Sequence, residues 1–75
     1  MTQIMPLSAE GWFANLFSSR AARDGKVLRR DLDHVDRYVG RERYYAELER
    51  RGFHAVENAG QVVIFCNQEP IRITL

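Results

Sequence analysis

Apolar residues recur along this chain with two different periods, and the change between them divides it. Trp12, Phe13, Leu16 and Phe17 stand at i, i+1, i+4 and i+5, the stripe of a helix with one buried face. Ser8 occupies the N-cap position, Glu10 lies in the first turn where it favours the helix dipole, and Asp24-Gly25 supplies a stop. The pattern predicts a helix over 9–24. Lys26 to Arg30, bounded by Gly25 and Asp31, is too short for a helix and reads as a short strand. Asp31 can then cap a second helix carrying Leu32, Val35 and Val39 on one face, closed by Gly40. A third helical segment, Arg41 to Arg51, carries Tyr44, Tyr45 and Leu48 before Gly52.

One continuous helix from Leu32 to Arg51 would not serve a single core. At the helical repeat, the Leu32/Val35/Val39 stripe and the Tyr44/Tyr45/Leu48 stripe point about 160° apart. A break at Gly40 turns both inward, which predicts two short helices joined by a tight turn.

Beyond Gly52 the period falls to two. Phe53 to Glu57 alternates, Asn58-Ala59-Gly60 is a turn signal, and Gln61 to Cys66 is rich in Val, Ile and Phe. Asn67 to Pro70 interrupts, and Ile71-Arg72-Ile73-Thr74-Leu75 alternates again with Pro70 at its start, predicting a third strand and so a C-terminal β-meander. Period-two geometry places Val62, Ile64 and Cys66 on the core face, joined by Ile71, Ile73 and Leu75, and turns Val63 and Phe65 to the other side beside Arg72 and Thr74. Whether Phe53 and Ala55 or instead Val56 joins the core depends on a loop of four residues or three, and the sequence leaves that register open. The fold class is α+β: two or three short helices packed on one face of a small antiparallel sheet, with Lys26–Arg30 at its edge. Residues 1–7 have no periodic pattern and read as an arm preceding one domain over 8–75.

Helix, short strand, helix, tight turn, helix, strand, turn, strand resembles the winged-helix arrangement, the likeness resting on element order across Ser8 to Cys66 and on AELERRGFHAVENAGQVVIF. That resemblance implies a third helix that enters the major groove and a hairpin that serves as a wing. In this chain Arg41, Arg43 and Arg50 would be presented by that helix, but Glu42, Glu47 and Glu49 are interleaved with them. The tip, Glu57 to Gln61, has no cation.

With 75 residues the chain buries only about 60% of its extended-state surface. Its 45% hydrophobic content is nonetheless ample for a core. The longest apolar run, Val62 to Cys66, is far short of a membrane span, and MTQIMPLS lacks the basic and apolar regions of a secretion signal. A single cysteine, Cys66, excludes an internal disulfide. Together these lead us to expect a cytoplasmic protein. The net charge of +1 excludes a polycation that holds nucleic acid by bulk charge, yet Arg20, Arg23, Lys26, Arg29 and Arg30 cluster against Asp24 alone.

Catalytic chemistry has little to work with. His34 and His54 lie in different elements, neither at metal-ligand spacing from a carboxylate or cysteine, and read as a solvated helix residue and a strand-edge residue. Cys66 ends an apolar strand with no adjacent cation to lower its pKa, so it reads as a small buried hydrophobe. We expect no enzyme, no metal, no cofactor and no small-molecule substrate. Adjacent Tyr44 and Tyr45 cannot both be fully buried, and Tyr44 is grouped with Val63, Phe65 and Arg72 as the candidate partner interface. The expected function is a small non-enzymatic interaction module that binds a protein partner or self-associates through the Val63/Phe65 face. The alternative is a winged-helix-like nucleic-acid-binding regulator that contacts phosphates through Arg20, Arg23, Arg29, Arg30, Arg41, Arg43 and Arg50.

Overall fold

The computed structural model describes residues 8–75; the arm expected over residues 1–7 lies outside them. Its elements are α1 (Ala9–Phe17), α2 (Arg20–Arg23), β1 (Val27–Asp31), α3 (Leu32–Tyr38), α4 (Arg41–Arg51), β2 (His54–Asn58) and β3 (Gln61–Phe65). This is a small α+β fold in which, among the described residues, four helices accompany a three-stranded antiparallel sheet. No described helix is long and apolar enough to cross a membrane.

The first helix starts as its sequence demands, with the Ser8 hydroxyl accepting from the Gly11 amide at 3.0 Å. It is shorter than the 9–24 expected. Ser19 adopts an extended backbone and its hydroxyl accepts from the Ala22 amide at 3.3 Å, so a second cap interrupts the run and sets off α2 as a separate turn. Gly40, at φ 91° and ψ 141°, breaks the next pair as predicted. Val35 from α3 and Tyr44 with Leu48 from α4 consequently reach one core. α4 ends at Gly52 in the left-handed region, where the Phe53 amide donates back to the Leu48 carbonyl at 2.9 Å.

The hairpin loop is neither four residues nor three but two. Ala59 and Gly60 both have positive φ, at 52° and 77°, as a type I′ turn requires. Asn58 pairs with Gln61, Val56 with Val63 and Ala55 with Ile64. This register sends Phe53 and Ala55 toward the core and Val56 to the opposite face.

Strand order is β1-β3-β2, so β3 is central and β1 is an edge, where the short strand over Lys26–Arg30 was expected. The strand expected over Ile71–Leu75 does not form. A meander would have paired it with β3, but β2 takes one side of β3 and β1 takes the other, with Val27 opposite Phe65 and Leu28 opposite Ile64. Ile71, Ile73 and Leu75 therefore do not join the core face; Ile73 is 89% exposed.

The core lies between the helices and the sheet face formed by Leu28, Val62 and Ile64, with Trp12, Phe13, Leu16, Val35, Tyr44, Leu48 and Cys66. Edge-on aromatic contacts tie α1 to α4, Trp12 to Tyr44 at 6.3 Å, and to the residue preceding β2, Phe17 to Phe53 at 5.9 Å. The Arg51 guanidinium lies 3.8 Å over the Phe17 ring.

Candidate functional site

Three rows cross the sheet face that turns away from the helices. The register aligns Val27, Phe65 and His54 in the first, Arg29, Val63 and Val56 in the second, and Asp31, Gln61 and Asn58 in the third. The polar third row sits at the hairpin-tip end. The other two form an apolar field of Val27, Val56, Val63 and Phe65 with Arg29 and His54 at its margin. Val27 is 50% and Val56 43% exposed, whereas Val63 and Phe65 are already partly buried by their neighbours. Phe65 also borders a hollow of about 330 Å³ shared with Asn67, Glu69, Pro70, Ile71 and Arg72.

The structure thus brings Val63, Phe65 and Arg72 to one side of the molecule. It does not bring Tyr44 there. Tyr44 is fully buried among the helices, and this corrects its grouping with the interface: its spacing of four to Leu48 puts both on the inward stripe of α4. Tyr45 is the member of the pair that reaches solvent, donating its hydroxyl to Glu57 at 2.8 Å. Val27 and Val56 belong to the field as well; neither was among the interface residues expected from the sequence, which left the face of Val56 open. Strand periodicity gave Val63 and Phe65; the others needed the register.

The arginines proposed for nucleic acid fall into two groups. Those of α4 are engaged with carboxylates: Arg41 with Asp36 at 2.8 Å and Glu57 at 3.6 Å, Arg43 with Glu10 at 2.7 Å, and Arg50 with Glu47 at 2.6 Å. The bonds from Arg50 and Arg51 hold the Glu47 carboxyl below its usual pKa, and Arg43 does the same for Glu10. Arg20 reaches Asp24 only at 3.7 Å. Arg23, Arg29 and Arg30 have no ion-pair partner among the described residues, and a guanidinium nitrogen of Arg30 donates to the Arg29 carbonyl at 2.8 Å. The exposed surface of α4 is therefore mixed in charge.

The remaining chemistry-bearing side chains are scattered. His34 lies 4.0 Å from Asp31 and beside Tyr38, while His54 is exposed on the outer sheet face. Cys66 is buried, and desolvation pushes its thiol pKa up, which disfavours the reactive thiolate. Among the described residues no three His, Cys, Asp or Glu side chains group as a metal site. Compared with protein families, curated proteins and solved structures, the chain matches none.

Proposed function

We propose that this chain is a non-enzymatic interaction module that self-associates through the outer face of its sheet. One observation carries the reading: the apolar field of Val27, Val56, Val63 and Phe65 is covered by no element among the described residues. An apolar surface at the centre of a sheet, rimmed by Arg29, His54 and the polar row at the hairpin tip, suits a self-complementary contact about a two-fold axis. The field is small beside the roughly 800 Å² that each partner contributes to a standard interface. The dimer is accordingly a weak one, formed at high concentration. Sedimentation equilibrium up to millimolar concentration tests it. Val63→Ser combined with Phe65→Ser should shift the association to higher concentration, and a wild-type chain that stays monomeric throughout removes the proposal.

A second reading, nucleic-acid binding, is favoured by the element order and by the β1-β3-β2 sheet, which fit the winged-helix resemblance. Against it, each α4 arginine would have to exchange a carboxylate for a phosphate, and the hairpin tip has no cation to contribute. The discriminating measurement is a duplex-DNA titration: binding that falls steeply with salt supports this reading, and a flat titration at low salt removes it.

A further inference from the structure

The sheet has another unmet surface, the free edge of β2. The Cys66 amide donates to the Lys26 carbonyl and the Leu32 amide to the Gly60 carbonyl, so the even-numbered backbone groups of β3 face β1. The odd-numbered ones then face β2 and engage His54, Val56 and Asn58. This leaves the backbone amides and carbonyls of Ala55 and Glu57 directed away from the sheet, without a partner among the described residues. Along that edge runs a groove of about 410 Å³ whose walls are α4 on one side, with Tyr45, Leu48 and Glu49, and Phe53 to Ala55 on the other. An edge strand beside a helix, with a partly apolar trough between them, is the arrangement that accepts an extended peptide as an added strand.

The same chain carries a segment built for that role. Ile71 to Leu75 alternates apolar and polar residues, belongs to no regular element and exposes Ile73 almost completely. Its five residues span about 16 Å when extended, the length of the five-residue β2. Ile71, Ile73 and Leu75 on one side of such a strand would meet Tyr45, Leu48 and Phe53. Arg72, the one charged side chain of the segment, alternates with them and would point to the outer face of the sheet, away from α4 and toward solvent. Ile71 and Arg72 line a separate hollow with Phe65 and none of residues 71–75 lines the β2 groove, so the segment does not occupy the groove of its own copy.

We propose that residues 71–75 of one copy add as a fourth strand to the β2 edge of a second copy. This contact uses a surface distinct from the outer-face field and does not rest on it.

Amide hydrogen exchange on the full chain tests the proposal. Protection at Ala55 and Glu57 should increase with protein concentration. Ile73→Asp, at a position too exposed to affect the fold, should abolish that increase while leaving core amides protected. A synthetic peptide of residues 69–75 added to this variant should restore it. Three results would each overturn the proposal: protection independent of concentration, which would place the segment in its own groove or nowhere; an increase that survives Ile73→Asp; or no response to the peptide. Val63→Ser with Phe65→Ser should leave the effect in place, so failure here and failure of the outer-face contact are separate outcomes.

Discussion

Replacing Val27 and Val56 together by threonine should abolish self-association through the outer face while leaving the fold intact. These two positions are chosen over Val63 and Phe65 because they have more to lose: half of Val27 and 43% of Val56 is still in solvent, so a partner would newly cover them. Threonine keeps the β-branched shape that a strand prefers, so the monomer should be affected little. At the contact, each substitution removes a methyl group worth about 0.8 kcal/mol and adds a hydroxyl that must be desolvated, for a total of at least about 1 kcal/mol per site. A two-fold contact counts every site twice. Four sites give about 4 kcal/mol, or on the order of a thousandfold in dissociation constant. Since the wild-type contact is small, a loss of that size, introduced in the Ile73→Asp background so that the β2-edge contact does not contribute, leaves the chain monomeric at any accessible concentration. Sedimentation equilibrium reads the mass, and thermal unfolding checks that the monomer is intact. Should the double variant in that background dimerise as Ile73→Asp alone does, the association runs through another surface and the assignment of this face is wrong.

Other outcomes follow from particular residues. Gly40 occupies a backbone region that other residues avoid, and a Cβ there would meet nothing within 4 Å, so Gly40→Ala costs backbone strain alone, about 1–3 kcal/mol. Calorimetry should show Tm lowered by about 4–8 °C per kcal/mol, and an unchanged Tm would mean that the α3–α4 turn does not depend on glycine. The buried Tyr44 hydroxyl has no hydrogen-bond partner among the described residues, so Tyr44→Phe should be neutral or stabilising by up to about 1 kcal/mol in urea denaturation; a clear loss would show that the hydroxyl is bonded after all. Glu47 has a lowered pKa in the folded chain, so its stabilising contribution is present above the usual value of 4.5 and is lost as pH falls through the lower folded value. Glu47→Gln should therefore flatten the decline of the urea midpoint between about pH 6 and pH 3, and parallel declines in the two proteins would contradict this.

What could be read from the sequence was whatever local geometry decides. The break at Gly40 was legible because two stripes on opposite sides of one helix cannot share a core, and the Tyr44–Leu48 spacing already held the correction to Tyr44's placement. The hairpin was legible as a hairpin, but its register was not: the turn uses Ala59 at positive φ, a conformation alanine does not advertise, and Asn58 lies in the strand. The split between α1 and α2 hung on one serine hydroxyl competing for an amide. The error at 71–75 is of another kind. Alternation shows that a segment can be a strand, while pairing depends on whether an edge is vacant, and β1 arrives at β3 from 30 or more residues earlier in the chain. That long-range pairing has two consequences. By aligning Val27 and Arg29 with Phe65 and Val63, it completes the apolar outer face. By filling the second side of β3, it denies Ile71 to Leu75 the meander position beside β3. The displaced segment and the widened face thus share one topological cause, which is why both candidate contacts are invisible to any reading confined to the C-terminal third.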